Sequence, residues 1–217
     1  MNHHQAQNKF VTDSFLKNTA DHQLTVILDQ GVHRHLRFAK PDTGNMAFSF
    51  ITWPGSLCYT GDMGTFVFSR LHDMFEFFRC ERADRMFEID HRYWAEKCQA
   101  GDKSDGIEHF SMEMFREQVA DYSKQYAEGN DLGPTRTAEF LQRVKDELHD
   151  NHFESDVEAY QATNDFEFGK RSPFQDFWEV RCSDYSYRFR WCCRALRWGI
   201  AQYDMLTNRP VTVAANG

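Results

Sequence analysis

The chain has 217 residues, of which 41% are hydrophobic, 27% charged and 15% aromatic, and its formal net charge is −8. This composition is globular and excludes a collagen-like, low-complexity or disordered chain. No apolar run approaches the ~20 residues that span a bilayer, and the negative charge disfavours a nucleic-acid backbone as the main partner. Because the length suits one core, we predict a single domain over residues 1–217.

A short helix over about residues 10–20 is predicted to precede an antiparallel sheet within 24–70. The predicted strands cover 24–28, 32–38, 46–52, 57–59 and 65–69. The turns between them, including Trp53-Pro54-Gly55 and Gly61-Asp62-Met63-Gly64, are short, and short connections require antiparallel neighbours. In the 32–38 segment His33, His35 and Arg37 alternate with Val32, Arg34, Leu36 and Phe38, so one face is predicted to be buried and the histidine face to meet water.

Residues 71–206 are predicted to form the helical part of the domain. Four of the predicted helices cover 73–79, 91–99, 153–165 and 184–206. Another runs from the N-cap Ser111 to Gly129. A further helix begins at Pro134 and has Leu141, Val144 and Leu148 as its apolar face. The last helix is apolar over most of its girth, which is typical of a buried helix. Strands followed by helices favour an α+β fold, here a β-meander of about five strands with helices on one face and a buried C-terminal helix.

Two features of the sheet are candidate ligand-binding groups. The Gly61–Thr65 turn surrounds Asp62 with glycines, and its exposed amides could hold an anion, although an ordinary hairpin turn also explains it. His33 and His35 share a strand face, but no spacing fixes a third ligand, so no metal site is predicted. The chain has neither a P-loop nor a G-x-S-x-G elbow, so we predict no catalytic residue and no cofactor.

The six cysteines indicate the compartment. They form no C-x-x-C pair, and residues 1–20 lack the apolar segment of a secretory signal peptide. Cys192 and Cys193 are neighbours on a predicted helix and point about 100° apart, which disfavours a mutual disulfide or a shared metal. We therefore expect reduced thiols, mostly buried, and a cytoplasmic protein.

Carboxylates outnumber basic residues between Asp146 and Asp184. The candidate binding residues in this region are Glu154, Asp156, Glu158, Asp165 and Glu167. A solvated acidic face explains such a region, and so does a surface that engages the basic site of a nucleic-acid-binding protein. The 20 Phe, 8 Tyr and 5 Trp residues indicate an aromatic core, and their excess is also compatible with a partner surface, including that of a homodimer.

Three stretches carry a resemblance to a known family. They are ITWPGSLCYTGDMGTFVFSR at 51–70 with DMFEFFR at 73–79, YWAEK at 93–97, and WCCRALRWGIAQYD at 191–204. Together they resemble a family of hypothetical proteins encoded by tailed bacteriophages and prophages, for which no activity is established. The resemblance spans most of the chain and implies an accessory protein that acts in the cytoplasm of the bacterial host, but it carries over no site residue.

The leading hypothesis is a phage accessory protein that binds a host protein complex and inhibits or redirects it without catalysis. A defence system is the expected target, which makes the protein similar in role to an anti-CRISPR inhibitor. The alternative is a small enzyme or a nucleotide- or anion-binding protein that uses the Gly61–Thr65 turn with His33 and His35. A third hypothesis, against which the net charge counts, is nucleic-acid binding through Arg188, Arg190, Arg194 and Arg197.

Overall fold

The computed structural model describes residues 3–207, which form two compact units. Within the described residues, unit 1 comprises 3–107 and 185–207, and unit 2 comprises Glu108–Asp184. Unit 2 is therefore an insertion within the sequence of unit 1. The prediction of a single domain over residues 1–217 stays a prediction.

The described residues contain both strands and helices, which confirms the α+β fold. The helices are α1 (His3–Thr19), α2 (Met74–Phe78), α3 (His91–Glu96), α4 (Met112–Gly129), α5 (Gly133–Val144), α6 (Asp156–Asp165) and α7 (Tyr187–Leu206). The strands are β1 (Gln23–Gln30), β2 (His33–Ala39), β3 (Phe48–Trp53), β4 (Ser56–Gly61), β5 (Gly64–Ser69), β6 (Cys98–Ala100), β7 (Glu108–Phe110) and β8 (Ser183–Tyr185). None of these helices combines the length and apolar character needed to cross a bilayer.

The sheet of unit 1 is a meander of six antiparallel strands in the order β1-β2-β3-β4-β5-β6. The five predicted strands are confirmed, and the alternation in β2 is as expected, with Leu36 and Phe38 buried and His33 and Arg37 exposed. The sequence did not indicate β6, because three residues are too few to show a period of two.

The predicted strand over 46–52 begins two residues later than expected, at Phe48. Met46 has a φ of 58°, in the left-handed region that is incompatible with a strand. The Met46 N–H donates a hydrogen bond to the Asp62 carboxylate at 2.6 Å, and this contact holds the chain in that turn. A contact between residues 16 positions apart thus sets the start of the strand.

Helix α7 lies against the inner face of the sheet, and α1 lies against α7. The predicted buried C-terminal helix is confirmed, since Trp191, Cys192 and Leu196 are fully buried in the core that the sheet aromatics form. Gly199 is the point of closest approach: a Cβ added there would stand 2.5 Å from Phe50 and 3.0 Å from Phe38. A side chain at this position would force the helix away from the sheet. Helix α1 begins at His3 and is longer than predicted.

Two bidentate ion pairs tie α2 into unit 1. The Arg34 guanidinium, 2% exposed, donates to both carboxylate oxygens of Asp73 at 2.9 and 2.8 Å. Asp73 is also the N-cap of α2, because it accepts from the Phe75 N–H at 3.0 Å. At the other end of α2, Arg79 donates to both oxygens of Asp204 on α7 at 2.7 and 3.0 Å.

Unit 2 has a core of its own, which shares no residue with the core of unit 1. Ser111 caps α4 as predicted, with its hydroxyl accepting from the Met114 N–H. The apolar face of α5 is formed by Phe140 and Val144, and a π turn over Lys145–His149 then adds Leu148. Leu141, predicted to belong to this face, is 41% exposed, because Phe140 occupies the position four residues before Val144.

The chain segments on either side of the insertion lie side by side in unit 1. The Ser186 N–H donates to the Ile107 carbonyl at 2.9 Å, and the Ser186 hydroxyl donates to the Gly106 carbonyl at 3.0 Å. Adjacent chain ends of this kind are the geometry in which a fold accommodates an inserted unit.

We expect Gly199→Ala to lower the free energy of unfolding by about 2 kcal/mol or more, because the added methyl group overlaps the Phe50 ring. Urea denaturation followed by circular dichroism measures the change. Gly129→Ala is the matched control, since Gly129 is also helical and has open space at its Cβ position, so this change should be neutral or stabilising. Equal stability of the Gly199 variant and the wild type would contradict the close packing.

We expect Asp73→Asn to cost about 3 kcal/mol, because the amide still caps α2 but leaves the buried Arg34 charge unpaired. Burial alone would raise the pKa of Asp73, but the hydrogen bonds from Arg34 and Phe75 hold that pKa below its ordinary 3.8. The carboxylate of Asp73 therefore binds a proton more readily in the unfolded state than in the folded state. The stability that the ion pair contributes is present above pH 3.8 and is lost as the pH falls below it. Acid titrations of unfolding should show a smaller loss of stability in the variant than in the wild type.

Candidate functional site

The Gly61–Thr65 turn is a two-residue hairpin connection between β4 and β5, in which Gly61 pairs with Gly64. Asp62 is exposed, but its carboxylate does not bond to its own turn and instead accepts from the Met46 N–H. The Asp62 N–H donates to the Ala47 carbonyl at 3.1 Å. Both groups of Asp62 therefore fasten the hairpin to the loop that precedes β3, which is a structural task.

The two glycines of the turn are required by their neighbours. A Cβ at Gly61 would stand 2.3 Å from the Ala47 carbonyl oxygen, and a Cβ at Gly64 would stand 2.5 Å from the Asp102 carboxylate. Gly64 also has a φ of 93°, which side chains rarely allow. These glycines make room for backbone and a carboxylate, and neither requirement involves a ligand.

His33 and His35 lie on the solvent-facing side of β2, as predicted, with His33 exposed and His35 half-buried. The register places them far from Asp62, because Gly61 lies across from Phe48 and Phe48 lies across from Phe38. Phe38 is five residues from His33, which is roughly 17 Å along an extended strand. The structure therefore does not bring the turn and His33 together in one pocket.

Two of the four arginines of α7 are buried and do not face a surface that could contact nucleic acid. Arg190 and Arg194 are buried, and Arg194, with no exposed surface, donates to Thr12 and to the backbone carbonyls of Asn8 and Arg190 at 2.8–2.9 Å. Burial lowers the pKa of the Arg194 guanidinium to about 10, so it remains charged at neutral pH. These contacts attach α7 to α1. Arg190 and Arg194 are therefore not available for the nucleic-acid binding that the sequence suggested for the four arginines of α7.

The described cysteines and histidines form no cluster suited to a metal ion, since no three of the His, Cys, Asp and Glu side chains within residues 3–207 converge. All six cysteines are free thiols, and Cys182, Cys192 and Cys193 are buried. Burial raises the pKa of the Cys182 thiol to about 11, which leaves it protonated and unreactive at neutral pH.

The five candidate carboxylates all lie in unit 2, on α6 and beside its ends, and all are exposed. Glu158 accepts from the Glu154 N–H, Asp156 accepts from the Val157 N–H, and Asp165 accepts from the Gln161 amide. Within residues 3–207, none of the five forms an ion pair with a lysine or arginine. The negative charge of this α6 surface, defined by Glu154, Asp156, Glu158, Asp165 and Glu167, is therefore not neutralised within the described chain.

Two large apolar side chains are exposed beside this α6 surface. Val157 is 72% exposed and Trp178, in the turn Phe177–Glu179, is 67% exposed. Tyr160, one turn after Val157 on α6, donates its hydroxyl hydrogen to the Val180 carbonyl at 2.8 Å. The Tyr160 ring also lies 6.4 Å from the Phe177 ring, so α6 packs against the turn that carries Trp178.

Charge is divided unequally between the two units. Unit 2 contains 18 of the 33 Asp and Glu residues but only 8 of the 25 Lys and Arg residues. Its formal net charge is therefore −10, whereas the remainder of the chain sums to +2. The acidity of the protein is thus a property of the insertion.

Unit 2 has a second feature that the sequence did not indicate, a cleft of about 330 Å³ lined by basic and aromatic side chains. Its lining comes from two segments, 126–136 and 168–171. The adjacent Lys170 and Arg171 within an acidic region were the one available signal. Their proximity to the other segment depends on the fold, so the pattern of residues could not reveal it.

Comparison of the chain with protein-family models, with curated proteins and with solved structures finds no match. The class of the protein is therefore defined by its own architecture: an α+β sheet unit interrupted by an acidic helical unit.

We expect Asp62→Ala to lower the free energy of unfolding by about 1 kcal/mol, because the Met46 N–H loses its acceptor in a left-handed turn. Asp62→Asn is the matched control, since its amide oxygen can still accept this hydrogen bond. Chemical denaturation of the three proteins measures the difference. If Asp62 served only catalysis or ligand binding and did not stabilise the fold, the alanine variant would be as stable as the wild type.

Proposed function

We propose that this protein is a non-catalytic binding protein that uses the α6 surface of unit 2 to engage the basic, nucleic-acid-binding site of a partner protein and so inhibits it. The observation that carries the proposal is the set of five exposed carboxylates that have no cationic partner within residues 3–207, near the exposed Trp178, on a unit with a net charge of −10.

Unpaired surface carboxylates generate a field that attracts a positively charged groove. Such fields raise association rates and fix the register of the complex, because like charges repel wrong partners. A nucleic-acid-binding groove is lined by Lys and Arg that neutralise phosphates, so a rigid acidic helix can occupy the same place. Helix α6 holds its carboxylates rigidly, since Ser155 caps its start and Ala159 and Thr163 anchor its buried face.

Charged residues increase the association rate and orient the partner more than they increase the affinity. We assign the affinity chiefly to Trp178, which acts as an apolar anchor. Tryptophan is enriched among the few interface residues that carry most of the binding energy. An exposed Trp next to an acidic helix is compatible with an interface that has an apolar centre and a charged rim. Val157 extends this apolar centre on the neighbouring helix.

The resemblance to proteins of tailed bacteriophages supports a target within the bacterial host. A phage accessory protein gains from blocking the nucleic-acid-binding complexes with which the host attacks phage genomes, and CRISPR–Cas effectors are complexes of this kind. The protein would then act in the host cytoplasm, as a stoichiometric inhibitor.

The test is direct binding of the purified full-length protein to purified CRISPR–Cas effector complexes, measured by biolayer interferometry with and without target DNA. We expect binding that target DNA competes away and that weakens as salt is added. Trp178→Ala should raise the dissociation constant by about 30-fold, the effect of losing an interface hot spot. The combined variant Glu154→Gln, Asp156→Asn and Glu158→Gln should chiefly slow association.

The matched control neutralises three other exposed carboxylates of unit 2, through Glu117→Gln, Glu128→Gln and Glu139→Gln. This control changes the net charge by the same amount, so it separates the position of the charge from its sum. Equal association rates for the two triple variants would contradict a role for the α6 surface. Failure of the wild type to bind any effector complex, or binding that DNA does not disturb, would overturn the proposed inhibition.

A further inference from the structure

The cleft of unit 2 combines positive charge with aromatic walls in a unit that is otherwise strongly acidic. It measures about 330 Å³, at the lower end of the range for small-molecule sites. The residues that give it its character are Asn130, Asp131, Arg136, Phe168, Lys170 and Arg171. Three cations and one carboxylate leave the lining with a net charge of +2.

The three cations are not used by the fold as ion pairs. Arg136, Lys170 and Arg171 are exposed, and within residues 3–207 none of them lies within ion-pair distance of a carboxylate. Other cations of the unit do pair with carboxylates. Arg143 does so with Glu147 at 2.7 Å, and Arg181 with Glu108 at 2.6 Å. The cations of the cleft therefore remain available to an external anion.

The fold also holds these side chains in place. The Phe168 N–H donates to the Arg171 carbonyl at 2.9 Å, which closes a tight turn over 168–171 with Gly169 at a φ of 71°. Arg171 donates from one guanidinium nitrogen to the Asn130 side-chain oxygen at 2.7 Å. The Arg136 guanidinium lies 5.3 Å from the centre of the Phe168 ring. Two of the three cations are thus oriented before any ligand arrives, which reduces the entropy cost of binding.

Helix α5 adds a favourable field at the same place. It begins at Gly133, between the lining residues Asp131 and Arg136, and no side chain caps it. The first amides of a helix have no intrahelical acceptor, and the helix dipole favours an anion there. This contribution supplements the three cations.

We propose that the cleft binds a small phosphate-bearing molecule, with Arg136, Lys170 and Arg171 contacting the phosphate group. Phosphate suits this set because its several oxygens accept from guanidinium and ammonium donors together. The volume leaves room for a small organic body beside the phosphate, as in a nucleoside monophosphate. This site is separate from the α6 surface, so either proposal can fail without the other.

The test is calorimetric titration of the full-length protein with inorganic phosphate, adenosine 5′-monophosphate and adenosine at constant ionic strength. We expect saturable binding of one molecule of each phosphate compound and none of adenosine. Arg136→Gln and Lys170→Gln should each weaken binding about tenfold, the effect of one lost charge-assisted hydrogen bond. Both side chains are exposed, so circular dichroism should show an unchanged fold.

The matched control is Lys145→Gln, which removes another exposed cation of unit 2, one whose Nζ lies 3.9 Å from the Asp150 carboxylate. Lys145 lies nine residues after Arg136 along a helix, roughly 14 Å away, beyond the screening length at physiological salt. We expect its binding constants to equal those of the wild type. The site is overturned if neither phosphate compound binds at millimolar concentration, if adenosine binds as tightly as its monophosphate, or if Lys145→Gln weakens binding as much as the cleft variants.

Discussion

The packing of α7 on the aromatic face of the meander is the interaction on which unit 1 depends. The rings of Phe38 and Phe50 occupy the space that any side chain at position 199 would need, so only glycine lets the helix reach the sheet. Through α7 the sheet is linked to α1, by the buried Arg190 and Arg194, and to α2, by the Asp204 ion pair. Because α7 follows the insertion in the chain, the core of unit 1 is complete only after unit 2 has been synthesised.

Unit 2 is free to carry surface chemistry that the sheet unit does not share. Its core is its own, and the chain leaves and rejoins unit 1 at neighbouring residues. The features that we assign to partners lie here: the carboxylates of the α6 surface, which have no cationic partner among the described residues, the exposed Trp178, and the basic cleft. The carboxylates of the α6 surface attract a positively charged partner, whereas the cations of the cleft attract an anion. We therefore assign the two sites to different ligands.

The elements that the sequence predicted well are those whose signal is local. Short turns and period-two alternation indicated the five long strands, and a serine followed by an amphipathic segment indicated the start of α4. One error arose where a distant contact overrides the local pattern, and the other where the spacing along a helix favours the neighbouring residue. Asp62 holds Met46 in a left-handed turn, and Phe140 takes the core position that the pattern gave to Leu141.

The sequence by itself determined the fold class, the buried C-terminal helix and the concentration of carboxylates, because these follow from residue type and spacing along one segment. The tertiary structure alone decided which polar groups are available. It placed His33 and Asp62 at opposite ends of the sheet and buried two of the four arginines of α7 against α1. It also brought Arg136, Lys170 and Arg171 into one cleft, where none of them has a carboxylate partner among the described residues. A charged side chain is available to a ligand only if no distant segment of the chain pairs with it or buries it. The spacing of residues along the chain does not show directly which segment lies beside it.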